Sequence, residues 1–287
     1  MPTTLIEHTQ LMPTQATIQA YYAALRRFWH PVLRVEDLPV GTPYGVELLE
    51  EPIALVRLNG ELVAMQDLCR HFQARLSLGE ISQIAGAGDC LMCPYHGWSY
   101  AASGQCVHIP QLGYDRQIPT DARVPRYEVA ERYGLIWVCL DEAPQFNIPA
   151  IPALDDPAFM SGPLRTYPTW HASSPRTLMA ALDDTHGPWV HGGLVGDRSH
   201  PEPPQHQVRR AGQTLVVDVR MLQPDNPAIR QNGQSNGHVN GHIPQFQEVT
   251  LRTTVGMPNL IHFMIQAAGS ARRTQIWQAV SPKKYNE

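Results

Sequence analysis

Apolar and polar residues alternate in short runs over most of this chain, the period of half-buried strands, and a helical period shows in only two places. The first is YYAALRRFW, residues 21–29, where aromatic and leucine positions share one face after a polar N-terminal tail. HPVL then begins a β-rich region. GVELLEEPIALVRLNGELVAMQDLC contains two strand-like runs joined by Asn59-Gly60, residues that supply the positive φ angles of a tight hairpin turn. Further short strands are expected at CLMC, WSYA and YGLIWVCL, separated by turn signals at Ser103-Gly104 and Leu112-Gly113.

From 141 to 168 six prolines exclude a long helix or a central strand. The second helical pattern follows in SSPRTLMAALDDTH, with Ser174 as the expected N-cap, Pro175 at the first helical position and the helix reaching about residue 186. Strand patterns return at QTLVVDVRML, EVTLRTTV, NLIHFMIQAAG and RRTQIWQAVS, and the polar stretch from Gln223 to Gln245 reads as a loop. The pattern therefore predicts an α+β protein of two domains. Residues 1–26 form a tail and helix, 27–145 an all-β domain, 146–168 a linker, and 169–287 an antiparallel sheet with at least one helix.

Length supports that division, since 287 residues suffice for two domains and 43% apolar content is ordinary for a folded chain. A net charge of -4 gives no electrostatic case for nucleic acid or an anionic membrane, so small-molecule chemistry is the expectation. The N-terminus lacks a signal-peptide pattern and no run approaches a membrane span, which reads as cytoplasmic. Five cysteines without a secretory signal point to metal binding or burial ahead of disulfides.

Two of the cysteines sit in a pattern with histidines: Cys69-x-His71, an interval of 21 residues, then Cys93-x-x-His96. Each segment supplies one sulfur and one imidazole. One zinc ion could take all four in a tetrahedral set. Zinc sites usually draw a like pair from each segment, and the mixed pairs here better suit a [2Fe-2S] cluster in which one iron takes both thiolates and the other both imidazoles. Pro94 and Gly97 favour close approach of loop backbone. Cys90, Cys106 and Cys139 read as packed core thiols.

CRHFQARLSLGEI together with CPYHGWSYAASGQCVHIP resembles the Rieske domain of Rieske non-haem iron oxygenases. The resemblance is weaker to respiratory-chain Rieske proteins, which carry two further cysteines at the positions of Ala74 and Tyr95. It implies cluster ligation by Cys69, His71, Cys93 and His96. Phe72 departs from the oxygenase pattern, where arginine commonly follows the first histidine, and this alters the expected donor-docking surface.

A second histidine pair lies in ALDDTHGPWVHGG. Asp183 and His186, three apart, would share a helix face, whereas His186 and His191 would diverge by about 140° on one ideal helix. Gly187-Pro188 offers a break after His186 that re-aims His191. Two imidazoles with a carboxylate form a facial set for non-haem Fe(II). Alone, two histidines among thirteen are weak evidence, and Asp183 and Asp184 also read as a solvated helix end. The segment resembles the oxygenases' D-x-x-H-x-x-x-x-H motif, which implies iron ligation by His186 and His191 and a bridging role for Asp183 toward a cluster histidine of a neighbouring subunit. Met179-Ala180-Ala181 stands where the family often has asparagine.

His200, His206, His238 and His242 read as solvated loop residues, and His30 as a packed or capping one. The family's third, carboxylate ligand has no match before Glu287; Asp218, Asp225 and Glu248 are conceivable substitutes, and the chain reads as C-terminally truncated. The resemblance implies a helix-grip (START-like) catalytic domain after the Rieske domain. It further implies a terminal oxygenase component of the phthalate dioxygenase-like branch, a homotrimer. NAD(P)H electrons would arrive through a reductase or ferredoxin, and O2 would serve to hydroxylate or demethylate a small organic substrate. An electron-transfer protein and a zinc-stabilised binding module are the alternatives.

Overall fold

The computed structural model describes residues 13–113, 116–166, 169–191, 196, 198–212, 214–224 and 246–284. Two compact units divide the chain, one of residues 1–29, 38–130 and 137–148, the other of 30–37, 131–136 and 149–287.

The first helix, α1 (Gln15–Leu25), starts earlier than its apolar pattern suggested, because the Thr14 hydroxyl accepts the Thr17 N–H at 3.2 Å and caps it. It stops at Leu25, and Tyr22 and Leu25, three apart, are its buried residues. Ten strands follow: β1 (His30–Arg34), β2 (Tyr44–Leu48), β3 (Glu51–Leu58), β4 (Glu61–Gln66), β5 (Glu80–Ile84), β6 (Gly88–Met92), β7 (Ser99–Tyr100), β8 (Cys106–His108), β9 (Arg126–Arg132) and β10 (Leu135–Cys139). Six form a sheet in the order β1-β10-β9-β4-β3-β2, and four form a sheet in the order β5-β6-β7-β8. The expected hairpin is present between β3 and β4: Asn59 and Gly60 take φ of 52° and 82°, and Leu58 pairs with Glu61.

Apolar residues of β3 and β4 (Ala54, Val56, Leu58, Val63, Met65) pack with Leu76, Leu91, Tyr100, Cys106 and Val124 into one core that also takes in Cys69 and Cys93. Gly79 joins a short 3-10 turn, Leu76–Leu78, to β5. A Cβ at Gly79 would lie 2.0 Å from the carbonyl oxygen of Met92, the residue before Cys93. Backbone cannot yield as a flexible side chain does, so Gly79→Ala is expected to destabilise the β unit by about 3 kcal/mol or more, read as a lowered thermal midpoint.

The later part of the chain contains α2 (Pro152–Asp155), α3 (Ser174–Leu182), α4 (Gly187–Val190), β11 (His206–Ala211), β12 (Thr214–Pro224), β13 (Phe246–Gly256), β14 (Leu260–Ala267) and β15 (Arg273–Ala279). The strands form a sequential antiparallel sheet, β11-β12-β13-β14-β15. Four of them follow the expected apolar runs. The fifth, β11, is exposed at every position, so no alternation announced it; its pairing with β12 creates it. The loop reading of residues 225–245, with Asp225, His238 and His242, lies outside the described residues.

The helix expected to reach residue 186 ends at Leu182. Asp183 leaves the helix because its carboxylate accepts the backbone N–H of Thr185 at 2.9 Å and the Thr185 hydroxyl, a side-chain turn that competes with the helical ladder. Asp183 and His186 therefore do not share a helix face. Ser173 rather than Ser174 holds the N-cap position. The fold is α+β, an all-β part followed by an antiparallel sheet with short helices. No helix among the described residues is long and apolar enough to cross a membrane.

Candidate metal centres

Two loops of the β unit carry the Cys-His pairs, and each is closed by its own backbone. In the first, after β4, the Cys69 N–H donates to the Ala74 carbonyl at 2.9 Å and the Gln73 N–H donates back to the Cys69 carbonyl at 2.9 Å. In the second, after β6, the Cys93 N–H donates to the Trp98 carbonyl at 2.8 Å and the Gly97 N–H to the Cys93 carbonyl at 3.1 Å. Gly97 has φ 74°, and a Cβ there would stand 3.1 Å from the Pro110 ring, so the turn suits glycine on both counts. Gln111 holds the second loop from outside, donating to the His96 carbonyl at 2.9 Å.

The fold brings all four residues of the pattern together and sorts them by type. Cys69 and Cys93 are buried, at 1% and 2% exposure, while His71 is exposed and His96 half-buried, with ring centroids 4.9 Å apart. Burial pushes the Cys93 thiol up, and neighbouring Cys69 adds to the rise. Metal binding here must therefore displace a firmly held proton. Among the described residues no three His, Cys, Asp or Glu side chains converge on one point. A [2Fe-2S] group takes a sulfur pair on one iron and an imidazole pair on the other, and the buried thiols with the facing imidazoles provide that pairing by type. The donor set fits the two-iron group.

Two further residues support these loops, and sequence reasoning missed both. Asp67, 2% exposed, accepts from the Ser77 N–H and the Ser77 hydroxyl, each at 2.6 Å, and stands 3.5 Å from Arg75, fixing the base of the first loop. Nothing local in sequence marks a contact between residues ten apart in irregular chain. The Tyr100 hydroxyl accepts the Arg70 N–H at 3.0 Å and lies 3.1 Å from the Cys69 sulfur. Burial raises the Tyr100 pKa, with Cys69 contributing, so the phenol keeps its proton and stands within hydrogen-bond distance of the sulfur. Hydrogen bonds to cluster sulfurs raise the reduction potential. Tyr100→Phe is expected to lower it by about 40 mV, the one-electron equivalent of about 1 kcal/mol of differential hydrogen bonding, in a spectroscopic redox titration.

The second histidine pair is also brought together. His186 caps α4, Trp189 and Val190 donate to its carbonyl, and the His191 N–H bonds the Gly187 carbonyl at 2.9 Å. That single turn sets the two rings 5.2 Å apart at 71°. The restart at Gly187-Pro188 occurs as expected, and both residues are buried. His186 Nδ1 is buried without a hydrogen-bond partner among the described residues, which fits a nitrogen reserved for a metal ion. Of the substitute carboxylates, Asp218 is engaged by Arg252 at 2.5 Å and by Arg209 at 3.7 Å, and the side chain of Glu248 is exposed. Thr185 holds the exposed Asp183 carboxyl below its ordinary range.

His206 is exposed, as expected, but lies on a strand and not in a loop. It opens β11 and meets the Asp184 carboxylate at 2.6 Å, tying the turn beside His186 to the sheet. His200 bonds Ser199 and packs against Phe246. His30 is fully buried, as are Cys90 and Cys139, and Cys106 is 2% exposed.

Comparison with known proteins adds four findings. Residues 28–128 match the Rieske [2Fe-2S] domain. The chain is 38% identical over 196 residues to methylxanthine N1-demethylase NdmA of Pseudomonas putida, covering 66% of this chain and 54% of the relative. The solved structure of NdmA with caffeine, from Pseudomonas putida CBB5, matches with a TM-score of 0.71 at 30% identity, covering 94% of this chain and 73% of that one. Oxidoreductase NdmD of Pseudomonas putida is 36% identical over 118 residues, 40% of this chain and 19% of that protein. The chain spans about half the length of the curated demethylases it matches.

Proposed function

The chain belongs to the Rieske non-haem iron oxygenases, and from that premise we propose that it is the terminal oxygenase component of a cytoplasmic system that N-demethylates or hydroxylates small cyclic compounds. The observation that carries this reading is the presence of two separate donor sets in one chain, the Cys69/His71/Cys93/His96 quartet and the His186/His191 pair with its orphaned Nδ1. When bound, the cluster supplies single electrons and the iron supplies dioxygen activation.

The residues of the chain define the rest. The buried thiols keep water from the sulfur side, while the exposed His71 edge faces an electron donor. An oxidoreductase of the kind to which NdmD belongs is the proposed donor, with NAD(P)H as the source of electrons. Asp183, exposed and fixed by Thr185, is available to bridge to a cluster histidine of a neighbouring copy, which is the role that makes a homotrimer part of the proposal. The cluster domain is assigned to residues 27–145 and the iron domain to 169–287. N-Methylated xanthines are the first substrates to test, by likeness to NdmA.

The reaction is N–CH3 + O2 + NAD(P)H + H+ giving N–H + formaldehyde + NAD(P)+ + water. The test incubates the purified chain with a reductase, NADH and N-methylxanthines and follows formaldehyde against NADH. Formaldehyde formed in step with NADH oxidation is expected. Cluster reduction without formaldehyde and without a third iron would contradict this reading and point to an electron-transfer homologue.

A further inference from the structure

The two cluster loops have no covalent tie, since all five cysteines are free, and the loop backbone bonds described above close within each loop. Rings join them instead. His71 of the first loop lies flat on Trp98 of the second, centroids 4.7 Å apart and planes within 3°. Phe72 of the first loop meets Tyr95 edge-on at 6.4 Å and 76°, and meets His96 at 6.2 Å. Tyr95 in turn covers His96 at 3.8 Å. Stacked and edge-on geometries in this range are the favourable ones for aromatic pairs. Phe72 and Tyr95 remain 67% and 63% exposed, a costly placement for two large rings that invites a reason.

We propose that Phe72, Tyr95 and Trp98 form an aromatic clasp that holds the two loops in register, fixes the His71–His96 separation and slows loss of the bound cluster. The clasp rests on the assignment of the cluster to these loops. The three rings are positioning residues: Trp98 sets the plane of His71, and Tyr95 with Phe72 brackets His96. Each ring is supplied by the loop itself, one residue from a ligand for Phe72 and Tyr95, so the clasp forms as the loops fold.

The test measures chelator-driven bleaching, iron and sulfide content and the paramagnetic resonance line shape of the reduced cluster in the full chain. Variants are Phe72→Ala, Tyr95→Ala, Trp98→Ala, the Phe72/Tyr95 double alanine variant and the conservative Tyr95→Phe. Trp98→Ala is expected to bleach about tenfold faster and each other single alanine variant about threefold faster, the range that one aromatic pair provides. The double variant is expected to bleach faster than either single one but by less than the product of the two effects, because the Phe72–Tyr95 contact is shared while each ring also meets His96 on its own. Tyr95→Phe should match the parent, and the alanine variants should broaden the resonance. Parental bleaching and line shape in all three alanine variants, with slower electron uptake from the reductase, would overturn the clasp and make the rings a docking surface. A parent chain without acid-labile sulfide would instead overturn the cluster assignment and the clasp with it.

Discussion

Cys93→Ala is expected to leave a folded chain with essentially no iron or acid-labile sulfide and no visible iron–sulfur absorption. The side chain is 2% exposed and sits in the loop beside Cys69, so its loss leaves one iron with a single thiolate. Cys90→Ala is the matched control: also buried, three residues away, but on β6 and outside the quartet. It should keep full iron and sulfide and lose only about 1 kcal/mol of stability from the small cavity. Equal loss of iron from both variants would show that the fold, and not ligation, was disturbed.

The second large effect is expected at His186. His186→Ala removes the buried, unpartnered Nδ1 together with one of the two rings that face each other at 5.2 Å. Mononuclear iron and product formation should be lost while cluster absorption and its resonance stay parental, because the four proposed cluster donors belong to the other unit of the chain. Titration with Co(II), whose visible bands report its ligands, checks the loss without relying on turnover. His206→Ala, which breaks only the tie to Asp184, should weaken Co(II) binding less, by about tenfold.

Local pattern explains what was legible in the sequence. Asn59-Gly60 and the alternating runs of β12 to β15 encode strands and a turn through properties of neighbouring residues, so they could be read without the fold. The Cys-His quartet was legible for a similar reason, since each loop carries its two donors within four residues. The turn that carries His186 and His191 was only half legible. Gly187-Pro188 announced the restart, but the helix ended at Leu182 because Asp183 bonds Thr185, a choice that apolar spacing does not show. Tyr100, Asp67 and His206 were illegible because their roles exist only across strands or loops: Tyr100 reaches Cys69 over 31 residues, and His206 reaches Asp184 over 22. β11 failed for a related reason, being a polar strand defined by its partner.

The measurement that tests the central claim most directly is metal and sulfide analysis of the parent chain combined with nitrogen-resolved paramagnetic resonance after histidine 15N labelling. The account predicts two irons and two sulfides for the cluster, with two histidine nitrogens coupled to the reduced cluster and both couplings altered by the label. Zinc without sulfide, or a cluster with no histidine nitrogen coupling, would contradict it.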